Sequence, residues 1–259
     1  MVKRKNFSKS GQLTLFIIIG IVIVAAGVLV YFFLPNLRPG LVFEEQTPEK
    51  YIQTCLESDI EDAINTLALQ GGSIKPEHYI LNEGNRIEYL CYQEEDYKTC
   101  VVQQPLLKRH VENEIKKEVL SQVKSCFDRM EQEYKDKGYE INLRKGEYQV
   151  ELLPKRVVLS FNNSLTLSKG ESVQRMEKFR VILNNNLYEL VSIANSIIEW
   201  EATYGDAETT IYMTYYKDLK VEKIKKVDGS TIYMLTDRNT NFKFQFASRS
   251  VVWPAGYGS

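Results

Sequence analysis

The longest apolar segment of the sequence runs for 22 residues from Leu13 to Leu34, and its only polar side chains are Thr14 and Tyr31. As a helix rising about 1.5 Å per residue it is about 33 Å long, and the hydrocarbon core of a bilayer is about 30 Å thick. A buried core helix or the apolar region of a cleaved signal peptide is usually shorter. The pattern therefore predicts a transmembrane helix at residues 13–34.

Basic side chains lie mainly on one side of this segment. Four basic residues precede the segment, and Arg38 is the only basic residue that follows it closely. The preceding four are Lys3, Arg4, Lys5 and Lys9. Because cytoplasmic flanks carry the excess of Lys and Arg, we expect a cytoplasmic N terminus and a single-pass protein of the cell membrane, with the lipid bilayer as one partner. The predicted organisation is a basic head at 1–12, a linker at 35–47 and an extracytoplasmic domain at 48–259, with a candidate subdivision near 138–172.

Three segments beyond the linker have apolar residues at helical spacing. Thr47 and Pro48 supply an N-cap and a first-turn proline for a helix that Gly71 and Gly72 end near residue 70. A second helix is predicted from about 106 to 137, and a third from about 172 to 204. The third prediction depends on one apolar face, made of Met176, Phe179, Leu183, Leu187, Leu190, Ala194 and Ile197.

Two other regions alternate apolar and polar residues with a period of two. The first, from about 140 to 167, predicts an antiparallel meander of short strands. The second runs from about 209 to 249, and its Asp228-Gly229 pair is a strong hairpin signal. The expected fold class is α+β, with an N-terminal transmembrane helix followed by an ectodomain of three long helices and antiparallel β-meanders.

The four cysteines lie on the predicted outer side of the membrane, where disulfides form. Zinc is the alternative, but no Cys-x-x-Cys pair is present. Cys91 and Cys100 bracket a short polar loop, so we expect them to bond across a hairpin. Cys55 and Cys126 lie beside apolar residues of the first two helices, and packing of these helices would bring their sulfur atoms together.

Composition limits the function classes. The chain has 33 Lys and Arg against 34 Asp and Glu, with a net charge of -1, so the sequence does not predict a nucleic-acid partner. The two histidines, His78 and His110, are too few and too far apart to predict a triad or a metal site. We therefore expect no catalytic, cofactor-binding or metal-ligating set.

Several weaker candidates remain. Glu94, Glu95 and Asp96 form an acidic loop that could bind a cation or a basic partner, but the sequence favours a solvated hairpin tip. Asn162 begins an Asn-Asn-Ser glycosylation pattern on a predicted turn. The segment 237–241 imitates half of a calcium loop but lacks its glycine and its bidentate acid. Four tyrosines fall in the last predicted sheet, where an exposed aromatic face could bind sugar or peptide, and strand propensity explains them equally well: Tyr212, Tyr215, Tyr216 and Tyr233.

The N-terminal sequence carries a resemblance. Lys9-Ser-Gly11-Gln12 before an apolar helix resembles the class III leader of archaeal type IV pilin-like proteins. This resemblance implies cleavage between Gly11 and Gln12, although Phe16 stands where that family usually has a glutamate. The start of the apolar segment, together with Cys55-Leu56 and the closing Gly71-Gly72, is also similar to uncharacterised archaeal single-pass membrane proteins.

These features predict a membrane-anchored cell-surface or envelope module that acts by binding or assembly, with a pilin-like subunit as its more specific form. Its partners would be other envelope proteins or further copies of the chain. The competing hypotheses are an anchored extracytoplasmic enzyme that uses unidentified carboxylates, and the ectodomain of a sensor.

Overall fold

The computed structural model of the chain describes residues 18–25 and 47–252, which belong to two separate units, 1–46 and 47–259. In the first unit, residues 18–25 form a helix, α1, with exposed side chains. Among the described residues, no helix is long and apolar enough to cross a membrane. For the residues that the structure describes, the prediction of an N-terminal transmembrane helix is therefore wrong.

The other predictions for the N-terminal region concern residues outside those that the structure describes. The rest of the apolar segment 13–34, the basic head at 1–12 and the linker up to residue 46 lie outside the described residues. The proposed leader cleavage between Gly11 and Gln12 lies there too.

The second unit begins with helix α2, Pro48–Leu69, close to its predicted bounds. The Thr47 hydroxyl caps it by accepting a hydrogen bond from the Lys50 N–H at 3.3 Å. Gly71 and Gly72 follow with φ of 85° and 100°, a left-handed conformation that glycine adopts without strain. The Gly72 N–H bonds to the Leu67 carbonyl, which closes the helix.

The predicted helix at 106–137 is two helices, α3 at Leu107–Glu118 and α4 at Leu120–Asp136. They meet at Val119, where φ of -85° and ψ of 4° break the regular helix. Val119 is nonetheless buried, so the apolar face continues through the break. The sequence pattern hides this break because the apolar spacing is the same on both sides.

The predicted third helix at 172–204 is wrong in its first half. Residues 172–184 form strands β8, Ser172–Met176, and β9, Phe179–Asn184, and the helix α5 spans only Leu187–Tyr204. Phe179, Val181 and Leu183 are buried and alternate with exposed residues, as in a strand with one buried face. The helices are therefore not three long ones, which corrects the predicted fold class further.

The largest sheet has six strands, and five of them lie in the order β1-β2-β12-β11-β10. The strands are β1, Tyr79–Asn82; β2, Asn85–Tyr92; β10, Leu219–Lys225; β11, Ser230–Asp237; and β12, Lys243–Arg249. The sixth, β3 at Val101–Val102, pairs with β2. The pair of β2 and β12 is parallel, whereas the sequence pattern predicts antiparallel strands throughout. A short helix, α6 at Thr210–Tyr215, replaces the start of the strand predicted from residue 209.

The remaining strands form two three-stranded sheets instead of one meander. The strands are β4, Glu140–Arg144; β5, Tyr148–Leu153; β6, Arg156–Phe161; and β7, Ser164–Lys169. The hairpin of β5 and β6 is nested inside the pairing of β4 with β7. β8 then extends one sheet to β4-β7-β8, and β9 extends the other to β5-β6-β9.

The core of this unit lies between helices and sheets. Helix α2 packs on β9, β12 and α4, while α5 packs on β11 and β12. Phe127 of α4 meets the rings of Phe161 and Phe179 edge-on, with centroids 5.4 and 5.6 Å apart. Edge-to-face contacts of this kind add to the burial energy of the rings, so they connect α4 firmly to the β5-β6-β9 sheet.

Candidate interaction surface and buried polar clusters

Two disulfides join the cysteines in the pairs that the sequence indicates. Cys55 of α2 bonds to Cys126 of α4, with Cα atoms 6.1 Å apart, and Cys91 bonds to Cys100, with Cα atoms 5.3 Å apart. The prediction of disulfides is confirmed. Disulfides form and persist in oxidising compartments, so they indicate an extracytoplasmic environment for this domain.

Two basic side chains contact the acidic loop of Glu94, Glu95 and Asp96: Arg249 bonds mainly to its backbone, and Lys98 pairs with the Glu95 carboxylate at 2.6 Å. Arg249 donates to the backbone carbonyls of Gln93 and Glu94, the latter at 2.7 Å. Its contact with the Asp96 carboxylate is longer, at 3.4 Å, and that carboxylate is largely exposed. Arg249 therefore shapes the loop mainly through its backbone carbonyls.

A buried polar cluster lies where α2 ends. The Ser73 hydroxyl donates a short hydrogen bond to Glu88 of β2, and its oxygen lies 2.7 Å from Nε2 of His110 on α3. In the state with Glu88 ionised, the single hydroxyl proton goes to the carboxylate, and Nε2 of a His110 that bonds to Ser73 is then the donor. A third acid, Glu114, accepts from the Ile74 N–H at 3.2 Å.

Burial sets the protonation of this cluster. Burial raises the pKa of Glu88, although bonds from Ser73 and Gln104 oppose the shift. Burial lowers the pKa of His110, although the nearby Glu114 carboxylate opposes it. Partial burial acts to raise the pKa of Glu114, but bonds from Lys117 and from the Ile74 N–H outweigh it and lower that pKa. His110 is therefore neutral near pH 7, and at least one carboxylate beside it is ionised.

Sequence reasoning missed this cluster because its members are far apart in the chain. Ser73 and His110 are 37 positions apart. Glu88 stands among the apolar residues Ile87, Tyr89 and Leu90 of one strand. A lone acid in an apolar strand is the sequence feature that could have indicated a buried polar site. The other histidine, His78, packs its ring on Tyr89 and Tyr92, with centroids 4.8 and 4.2 Å apart.

A second buried cluster surrounds Glu201 of α5. Its carboxylate accepts a short bond from the Tyr233 hydroxyl, a bond from the Ser248 hydroxyl at 3.0 Å and one from the Ala207 N–H at 2.9 Å. Burial raises the pKa of Glu201, and these three bonds oppose the shift. Because Tyr233 and Ser248 belong to β11 and β12, the cluster ties α5 to the largest sheet.

The remaining sequence candidates have ordinary surroundings. Asp237 accepts from the Asn239 N–H at 2.7 Å and the Thr240 N–H at 3.3 Å, so it shapes its own loop. Asn162 is exposed in the turn between β6 and β7, where a glycan would have room. Within the described residues, no group of three or more His, Cys, Asp or Glu could hold a metal ion.

The predicted aromatic face is only partly exposed. Tyr215 and Tyr216 are 80% and 56% exposed, whereas Tyr233 is fully buried beneath Lys223. The Tyr212 hydroxyl bonds to Ser196 at 2.8 Å and its ring packs on the core. The four tyrosines therefore do not form one surface.

The edges of the two small sheets differ from one another. On β9, the Gln53 side chain donates to the Ile182 carbonyl at 3.1 Å and accepts from the Ile182 N–H at 2.9 Å. On β5, the Glu112 carboxylate accepts from the Leu152 N–H at 2.9 Å. β4 and β8 are the two outer strands of the other small sheet, and within the described residues no strand pairs with the outer side of either. The first four residues of β8 are all exposed, whereas exposed and half-buried residues alternate in β4, so β8 presents the more accessible edge for another strand.

Comparison of the chain with protein-family models, curated proteins and solved structures found no match.

Proposed function

We propose that this domain is an extracytoplasmic module of the cell envelope that acts by binding or assembly, through the open edge of β8. The observation that carries the proposal is the contrast between this edge and those of β5 and β9, which side chains from helices occupy. Open edges promote association, so proteins usually cover or charge them. An edge left accessible in a domain braced by two disulfides is suited to pairing with a partner strand.

The alternative function as an enzyme receives less support from the Ser73 cluster. Glu88 and His110 both lie within hydrogen-bond reach of the Ser73 hydroxyl, so a base is present and the argument against a serine nucleophile is one of access. Ser73 is only 5% exposed, and it follows the C-terminal end of α2, where the helix dipole disfavours developing negative charge. The cluster is better suited to holding α2, α3 and β2 together.

In-cell photocrosslinking tests the proposal. A photoreactive amino acid replaces Val173 on β8 in the full chain, and the matched control replaces Val227, a fully exposed valine on the turn between β10 and β11. We expect a covalent adduct of discrete mass from position 173 and little from position 227. Equal labelling at both positions, or none at either, would contradict binding through β8.

The resemblance to pilin-like proteins adds a more specific form of the proposal. In that form the chain is cut between Gly11 and Gln12 before it assembles. Mass spectrometry of the intact native protein would then show loss of residues 1–11. A chain that keeps those residues removes the pilin-like route and leaves binding through β8 standing.

A further inference from the structure

We propose that β8 pairs with β8 of a second copy of this chain, antiparallel and centred on Val173. The inference rests on the proposed function, because it names the partner that the open edge would take.

The backbone of β8 determines which of its groups are free. β7 and β8 pair Lys169 with Ser172 across the two-residue turn Gly170-Glu171. In such hairpins the residues that flank the turn form a hydrogen-bonded pair, and bonded pairs then alternate along the ladder. Ser172, Gln174 and Met176 therefore bond to β7. The N–H and C=O groups of Val173 and Arg175 point away from β7, toward the open edge.

The two faces of this hairpin are different. Leu165 and Leu167 of β7 are buried, so their cross-strand partners Met176 and Gln174 lie on the core side. Val173 and Arg175 lie on the opposite face, and Val173 is 57% exposed. Side chains on that face would meet those of a strand added at the open edge.

β8, together with the turn residue Glu171 directly before it, is complementary to a second copy in one antiparallel register. When Val173 faces the partner's Val173, Arg175 lies beside the partner's Glu171 at the end of that turn, and the two-fold axis makes this charge pair twice. Within residues 18–25 and 47–252, neither Glu171 nor Arg175 forms an ion pair, so both are available. Opposite charges directly across two strands stabilise their pairing.

Other registers bring like charges together. A register centred on Gln174 places Glu171 opposite the partner's Glu177, and one centred on Arg175 places two arginines face to face. Like charges directly opposite each other destabilise strand pairing, so the charges select the register centred on Val173. The product would be one continuous six-stranded sheet, β4-β7-β8 followed by the same strands of the second copy in reverse order.

Cysteine crosslinking of the full chain tests the register. The protein is kept in mild detergent because of its apolar segment at 13–34, and a Val173→Cys variant is oxidised gently. Facing Cα atoms in a hydrogen-bonded antiparallel pair are about 5.5 Å apart, which a disulfide accepts. We expect covalent dimers from Val173→Cys and few from the matched control, Val227→Cys. Non-reducing peptide mapping checks that the native disulfides remain intact.

Charge exchange in the Val173→Cys background then tests the partner contacts. Glu171→Arg places an arginine opposite Arg175 of each copy, so we expect the rate of dimer formation to fall about tenfold, a fold-change equivalent to about 1.4 kcal/mol. Adding Arg175→Glu restores both pairs with exchanged signs, and the rate should recover. Far-ultraviolet circular dichroism confirms that each variant is folded.

The outcomes separate this inference from the proposed function. Recovery in the double variant supports self-pairing in this register. Dimers that are insensitive to both charge changes would overturn the register. In a third outcome, Val173→Cys gives no more dimer than Val227→Cys, and photocrosslinking at position 173 captures a different protein. The inference that the partner is a second copy is then wrong, and the proposed function stands. Loss of both signals would overturn both proposals.

Discussion

The side chain of Gln53 bonds both backbone groups of Ile182, donating to its carbonyl at 3.1 Å and accepting from its N–H at 2.9 Å. One amide on α2 thus takes the place of a neighbouring strand at the edge of β9. Because those backbone groups are paired within the domain, β9 is closed to a partner strand. The same domain leaves the edge of β8 open, and this difference supports our proposal of strand pairing at β8.

Replacing Gln53 should destabilise the fold. We expect Gln53→Ala to lower the free energy of unfolding by about 1 kcal/mol, because two backbone groups lose their partner. Alanine favours helices more than glutamine does, so helix propensity cannot cause the loss. Urea denaturation measures the change, with Gln149→Ala, an exposed position on β5, as control. A Gln53→Ala variant as stable as the control would show that the edge bonds add nothing.

The two disulfides should contribute unequally to stability. Cys55 and Cys126 are 71 positions apart, and Cys91 and Cys100 are 9 apart. On the chain-entropy model, the disulfide that closes the long loop contributes about 4 kcal/mol, and the one that closes the short loop contributes about 2 to 3 kcal/mol. Chemical denaturation of the Cys55→Ala/Cys126→Ala and Cys91→Ala/Cys100→Ala variants should therefore show the larger loss for the first pair. A larger loss for the second pair would mean that native packing around Cys91 outweighs loop entropy.

Glu201 should make stability fall with rising pH. Burial raises its pKa in the folded state, so between pH 4.5 and that raised pKa the folded chain binds more protons than the unfolded chain. The contribution of protonated Glu201 to the stability of the fold is complete below about pH 4.5 and is lost as the pH rises from 4.5 through the raised pKa of Glu201.

A Glu201→Gln variant should lack this loss, so its stability relative to wild type should rise from pH 4.5 to pH 7. Urea denaturation at several pH values measures the difference. Glu199→Gln, at an exposed position on the same helix, is the control. A Glu201→Gln variant whose stability follows the wild-type pH profile would show that burial does not shift this carboxyl group.

Arg249 should be more important for the acidic loop than the acids themselves. Changing Glu94 and Glu95 to Gln and Asp96 to Asn should alter stability by less than about 1 kcal/mol, as at other exposed sites. Arg249→Ala leaves the carbonyls of Gln93 and Glu94 without their donor and should cost about 1 to 3 kcal/mol. Thermal denaturation with and without calcium compares them. A calcium-dependent loss in the triple variant would instead identify the loop as a cation site.

Local patterns in the sequence predicted some of this fold well. Thr47 and Pro48 at one end and Gly71 at the other identify α2 because capping is a local property of the chain. The cysteine pairs were also accessible, since Cys91 and Cys100 bracket a hairpin and the other two are left to pair.

Other features depend on contacts that no local pattern contains. Phe179 and Leu183 are spaced for a helix, but Val181 between them fits a strand, and only pairing with β6 decides between the two. The nesting of β5 and β6 within β4 and β7 is a choice of partners far along the chain. The contact of Ser73 with His110 depends in the same way on how α3 packs near the end of α2.

Residue-specific amide hydrogen exchange measures most directly whether the β8 edge is a binding surface. In dilute protein the N–H groups of Val173 and Arg175 should exchange rapidly, because they point away from β7, whereas that of Gln174 should be protected. On concentrating the full chain, we predict that exchange at Val173 and Arg175 slows while exchange at Val227 does not change. If both β8 amides still exchange rapidly in protein that has demonstrably associated, with itself or with a partner, the edge is not the contact and our account is contradicted.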